Sequence, residues 1–197
     1  MASAIHLFVQ RKKSSKHFKA YNKRTKAMKR SKLIQEYTAL RKMPIGLKDT
    51  ILKESVHMLN SILADTMTLR DMYKKHHWQV TGPNFYSLHL LFDKHYSEQA
   101  ELIDDIAERI QMLGGISVAM AKDVLKLTDI ESPPKGREDA STQIKRLLDA
   151  HEILIKKARK YAAASAKLGD DGTNDLLVSD VLRTNEMQVW FLQSHSI

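Results

Sequence analysis

The 197-residue chain has no cysteine, which excludes a disulfide framework and a thiolate metal site and fits a reducing cytoplasm. Proline is confined to Pro44, Pro83, Pro133 and Pro134, and glycine occurs only seven times. The segments between these breaks therefore contain little that would interrupt a helix. No stretch approaches the roughly 20 apolar residues a membrane-spanning helix requires, so no membrane partner is expected. Met1–Gln10 is too short to read as a secretory signal and lacks its leading basic segment. Acidic residues are nearly missing from the start of the chain. Residues 1–42 hold thirteen Lys and Arg against Glu36 alone, whereas the remainder holds 19 basic and 22 acidic residues. A basic tail of charge +12 thus precedes a mildly acidic body of charge −3, together the formal +9 of the chain.

Long helical patterns fill the body. The first is expected from Leu47 to Val80, with Leu52, Val56, Leu59, Leu63, Tyr73 and His77 on one row of three- and four-residue steps. Thr81-Gly82-Pro83-Asn84 supplies the stop. The second runs from Phe85 to Leu113, with Phe85, Leu88, Phe92, Tyr96, Ile103, Ala107 and Ile110 expected on its buried side. A short helix over Val118–Leu125 precedes Pro133-Pro134. The third long helix spans Glu138–Leu168 and the fourth Thr173–Ser194. Four long helices with one long middle connection give an all-α fold, a ferritin-like four-helix bundle with a short helix between helices 2 and 3. The bundle is expected over residues 47–197, after a basic tail over 1–46 in which Ile34–Leu40 has the pattern of a short helix.

The chemistry concentrates between His77 and Glu108. His89 and Asp93 are four residues apart on the second helix, as are Asp104 and Glu108, so each pair shares a helix face and can grip one ion. Imidazole nitrogen with carboxylate oxygen suits Fe(II), Mn(II) or Zn(II). Taken singly, each pair is an ordinary helix-surface pairing; the combination with His77 makes the case for a metal. His89 and Asp104 lie about 22 Å apart along a straight helix at 1.5 Å per residue, whereas ligand bonds are about 2 Å long. Either the two pairs are unrelated, or the second pair of one subunit faces the first pair of another across a two-fold axis. A site within one subunit needs two Glu-x-x-His motifs, and the chain has one, Glu54–His57.

The stretch His77-Trp78-Gln79-Val80-Thr81-Gly82, then Phe85, Leu88-His89, Phe92-Asp93, Asp104, Ala107-Glu108-Arg109-Ile110 and Leu113-Gly114-Gly115 closely resembles the signature of the Dps mini-ferritins, the DNA-binding proteins from starved cells. Looser similarity extends from Leu47 to the C-terminus. The resemblance implies a hollow homododecamer built on two-fold dimers, with ferroxidase sites at the subunit interfaces. It carries the iron ligands onto His77, His89, Asp93, Asp104 and Glu108, drawn from two subunits. It implies oxidation of Fe(II) by hydrogen peroxide or oxygen and storage of ferric mineral inside the shell, in a bacterial cytoplasm. Trp78, beside His77, is expected to pack at the interface or to donate an electron. Acidic residues Asp170, Asp171 and Asp175, at the start of the last helix, are expected either to line pores through which iron passes or to cap that helix.

The tail is longer than the arm usual in that family. Arg11, Lys12, Lys13, Lys16, Lys19, Lys23, Arg24, Lys26, Lys29, Arg30 and Lys32 can neutralise phosphates without reading sequence, and many copies on one shell add avidity. Non-specific DNA binding is the leading expectation. A solvated tail, an acidic partner or surface, and an organellar targeting segment are the alternatives. On this reading the protein is a ferroxidase and iron store, or chiefly a nucleoid protein that coats DNA.

Overall fold

The computed structural model describes residues 32–195. Helix α1 spans Asp49–Gln79, α2 Phe85–Met112, α3 Ala121–Leu127 and α4 Ala140–Leu168. The last helix has three parts: α5 (Asp171–Asp175), a π-helical stretch Leu176–Leu182, and α6 (Arg183–Gln193). Among the described residues there is no strand, and no helix is long and apolar enough to cross a membrane. This is the expected all-α, ferritin-like bundle, with boundaries within a few residues of those read from the sequence.

Local chemistry explains the ends. Asp139 caps α4 by accepting from the Thr142 amide at 2.9 Å, and Gly169 closes it at φ +76. Gly82, at φ +104, turns the chain after α1. The short connection makes α1 and α2 an antiparallel pair with an extensive contact. The long connection from α2 to α4 is fastened at two points on α1. Asn60 accepts from the Val118 amide at 2.7 Å and donates to the Ile116 carbonyl at 3.1 Å. Asp65, wholly buried, accepts from the Thr128 hydroxyl and the Asp129 amide, while Lys157 of α4 lies 2.5 Å from Asp65 and 2.6 Å from Asp129. A buried lysine between two carboxylates keeps its charge: burial opposes ionisation, but the hydrogen bonds to Asp129 and Asp65 outweigh it and raise the pKa.

Two expectations change. No helix forms over Ile34–Leu40. After a turn at Tyr37 and Thr38 the chain instead runs along the bundle without regular structure. Leu40 and Leu47 pack on the core, and the Arg41 amide donates to the Gly114 carbonyl at 2.8 Å. Gly114 has φ +81, and a Cβ there would sit 2.2 Å from the Arg41 carbonyl oxygen, so only glycine fits. The buried row of α2 is Leu88, Phe92, His95, Gln99, Leu102, Ile106 and Ile110. Tyr96, Ile103 and Ala107 only flank it, and Phe85 is exposed. The apolar pattern misled because the true row carries two polar residues in its middle.

Candidate metal centre

His77 stands in the last turn of α1 and His89 in the first turns of α2, brought together by the tight turn between the helices. Their rings stack at 3.8 Å between centroids with a 19° tilt. Each ring is pinned by the other residue's backbone. His77 Nδ1 donates to the His89 carbonyl at 2.8 Å, and His89 Nδ1 donates to the His77 carbonyl at 2.9 Å. A carbonyl only accepts, so both Nδ1 atoms carry a proton, and in the neutral form of each ring the lone pair is on Nε2. That is the tautomer a metal-binding histidine needs, fixed by the outer hydrogen bond.

Asp93, one turn after His89, has a carboxylate oxygen 3.9 Å from His77 Nδ1. The same oxygen accepts from Lys74 Nζ at 2.6 Å. That hydrogen bond, aided by the nearby histidines, holds the Asp93 carboxyl below its usual pKa. Lys74 was not singled out by the sequence, although its place one turn before His77 puts it on the same face. Phe85 stacks on His89 at 5.2 Å. Trp78, beside this cluster, is 69% exposed, with Tyr86 and Leu90 similarly uncovered on α2.

Asp104 and Glu108 are exposed further along α2. With 3.6 residues per turn, His89, Asp93, Asp104 and Glu108 fall within an arc of about 100° on one side of α2. The helix thus carries both ligand pairs on one stripe but holds them far apart. Among the described residues of this one chain, no group of three or more histidines and acids is gathered tightly enough to hold a metal ion.

The three aspartates at the start of the last helix differ in kind. Asp170 is 1% exposed. Its carboxylate caps α5 through the Thr173 amide at 3.2 Å and accepts from the Arg109 guanidinium at 2.5 Å. Asp170 is therefore a structural residue, which corrects its expected place in a pore: the ion pair and the cap bury it. Asp171 and Asp175 are exposed. Nearby Asp180 has its pKa raised, first by partial burial and then by Asp105 and Asp175, so three carboxylates crowd one surface. Of the tail residues, Arg11, Lys12, Lys13, Lys16, Lys19, Lys23, Arg24, Lys26, Lys29 and Arg30 lie outside the described residues; only Lys32 is within them.

Sequence reasoning also missed a buried polar chain in the middle of the bundle. Tyr73, His95, Gln99, His151, Asn185 and Gln188 are all fully buried and come from four helices. The signal was available: His95 and Gln99 interrupt an otherwise apolar row at helical spacing.

Comparison with known proteins identifies the family. The ferritin-like domain model matches residues 56–196. DpsC from Streptomyces coelicolor superposes with a TM-score of 0.83 at 47% identity, covering 84% of this chain and 96% of that one. A Vibrio cholerae Dps protein, described as a member of a broad superfamily of ferritin-like diiron-carboxylate proteins, superposes with a TM-score of 0.74 at 29% identity, covering 80% and 98%. The Bacillus anthracis DNA protection during starvation protein 2 is 32% identical over 142 residues, which span 72% of this chain and 96% of that relative. The chain belongs to the Dps family of ferritin-like proteins.

Proposed function

We propose that this protein oxidises Fe(II) with hydrogen peroxide at di-iron sites shared between two subunits, and stores the ferric product inside a dodecameric shell. One observation carries the reading. His77 and His89 are locked with both Nε2 lone pairs free, while the acids that would complete the site, Asp104 and Glu108, stand exposed on the same stripe of α2. A two-fold axis that sets two copies of α2 antiparallel brings the acid pair of each chain to the histidine pair of the other. Trp78, Tyr86 and Leu90, uncovered in the single chain, are then buried at that interface.

Iron is the substrate. Neutral imidazoles and carboxylates bind Fe(II), and the hard anionic oxygens of Asp93, Asp104 and Glu108 favour the ferric product, which promotes electron loss. Lys74 sits on Asp93 before iron arrives, so iron binding at that carboxylate competes with an ammonium ion. Asp171 and Asp175, exposed at one helix start, are assigned to a pore through which iron passes. Peroxide-driven Fe(II) oxidation should be followed anaerobically in the wild type and in the double variant Asp104→Ala, Glu108→Ala, after confirming equal assembly size. Rapid oxidation in the wild type and its loss in the variant support the shared site; equal, slow oxidation in both refutes it.

The basic residues of 1–42 favour a second activity, DNA coating in the bacterial cytoplasm, since thirteen cations against one acid bind phosphate by counterion release. Binding should fall steeply with salt and disappear on deletion of residues 1–42. Salt-independent binding, or full binding by the deletion, would refute it. Equal, slow iron oxidation together with salt-sensitive DNA binding would make DNA coating the main function.

A further inference from the structure

We propose that Tyr73, hydrogen-bonded to His151 in the middle of the bundle, is a one-electron donor to the iron site, with His151 as the acceptor of its phenolic proton. The proposal rests on the ferroxidase reading above and adds to it two residues on the side of α1 opposite the exposed Trp78.

The protons in this cluster have one arrangement. Asn185 Nδ2 donates to the Val181 carbonyl at 2.7 Å, which fixes the amide, so Asn185 Oδ1 is an acceptor. His151 Nδ1, 2.9 Å from that oxygen, must donate. Its Nε2 therefore carries a lone pair, and Tyr73 Oη, 2.5 Å away, donates to it. His95 Nδ1, 3.1 Å from the phenol oxygen, then donates to Tyr73. The phenol thus gives its proton to a base and receives a hydrogen bond from the other side. Gln99 Nε2 donates to both Asn185 and Gln188 at 3.0 Å. Gln188 Nε2 in turn donates to Glu98 at 2.8 Å, but amides do not relay protons as imidazoles do, so the mobile proton stays between Tyr73 and His151.

These features suit reversible oxidation better than proton transport. A fully buried tyrosine cannot lose its proton to water, and burial raises its pKa well above the ordinary value. An oxidised phenol is a far stronger acid than imidazolium, so it hands its proton to a base already in contact. Burial first, with nearby His95, lowers the pKa of His151 to about 3, which leaves that base neutral and ready. Asn185, which fixes the tautomer, stands in the first turn of α6, three residues after the end of the seven-residue π-helix Leu176–Leu182. π-Helical turns are rare and frequently occur at functional sites. Tyr73 precedes His77 by four residues, roughly 6 Å along α1, and its ring lies 6.2 Å from that of Phe92, next to Asp93.

The electrons balance as follows. One Fe(II) meeting one hydrogen peroxide gives up one electron; the O–O bond breaks into hydroxide and a hydroxyl-radical equivalent. That equivalent takes an electron from Tyr73 and becomes a second hydroxide, while the phenolic proton moves to His151 Nε2. A second Fe(II) returns an electron to the tyrosyl radical, and the proton moves back. Two Fe(II) are oxidised per peroxide, and a site holding a single iron releases no free radical.

The test uses the full-length assembled protein, loaded anaerobically with one Fe(II) per chain and mixed with hydrogen peroxide. Ferric absorbance and the electron paramagnetic resonance of freeze-quenched samples are read together. The wild type should oxidise iron and show a tyrosyl radical that narrows with ring-deuterated tyrosine and couples to nitrogen-15-labelled imidazole. The signal should vanish in Tyr73→Phe. Should that variant fail to assemble, the two labels in the wild type decide. Iron oxidation with no radical, with a radical lacking imidazole coupling, or with one unchanged by Tyr73→Phe overturns the proposal and leaves the ferroxidase standing. No iron oxidation in the wild type overturns the ferroxidase reading and this proposal with it.

Discussion

The middle of the bundle and the outer stripe of α2 use the same residue types to opposite ends. In the middle, Tyr73, His151, Asn185, Gln99 and Gln188 bond to one another within one chain, and none is exposed. Along the stripe, His77 and His89 are bonded only on the Nδ1 side, and Asp104 and Glu108 are exposed. Most polar atoms of the buried cluster are bonded where they stand, His95 Nε2 and Gln99 Oε1 excepted, so the cluster bears on the stability of each chain. The open stripe costs a single chain little and, in the proposed function, becomes a site only when a second chain arrives.

The largest effect should come from the open stripe. His77→Ala with His89→Ala should lower the rate of peroxide-driven iron oxidation beyond the roughly 10–100-fold typical of changes one layer further out. Each chain's stability, by contrast, should shift far less than its activity. Trp78→Glu should shift the assembly to smaller species on size-exclusion chromatography, because it puts a charge on the exposed indole position that the proposed two-fold interface would bury. In the closed cluster the pattern should invert. Asn185→Leu leaves His151 Nδ1 without an acceptor and takes one of the two acceptors of Gln99 Nε2, at about 1–3 kcal/mol for the unpaired His151 donor by denaturant melting.

Smaller still is a pH effect of the same cluster. His95 and His151 have an ordinary pKa of 6.5 and fall to about 3 on burial. The unfolded chain therefore binds protons that the folded chain refuses. Their contribution to stability is complete above pH 6.5 and is lost progressively as pH falls toward about 3. Denaturation midpoints should fall over that window, less steeply in His151→Gln; a flat wild-type profile contradicts the neutral buried histidines.

Much of this was legible in the sequence because the relevant forces are local. Pro83 and Gly82 end α1, Asp139 caps α4, and Gly169 closes it. The i, i+4 spacing of His89 with Asp93 and of Asp104 with Glu108 places each pair on one face whatever packs against it. What escaped depends on contacts between distant segments. The irregular run after the Tyr37-Thr38 turn is held by Gly114, 73 residues after Arg41 in the same hydrogen bond. The partners of Tyr73 lie on α2 and α4, and its tautomeric lock depends on Asn185. Asp170 has a helix-start composition that fits both a cap and a pore, and only the position of Arg109 settles which.

The central claim is that each iron site takes its ligands from two chains, and mixing two inactive chains tests it most directly. One carries His77→Ala and His89→Ala, the other Asp104→Ala and Glu108→Ala; the two are unfolded together and reassembled. If sites are shared across a two-fold axis, half of randomly formed dimers are mixed, and each mixed dimer has one intact site of two. Peroxide-driven iron oxidation should then return to about one quarter of the wild-type rate. If the ligands of a site all belong to one chain, no mixed dimer contains an intact site. An activity that stays at the level of the separate variants, in shells shown to contain both chains, would contradict the account.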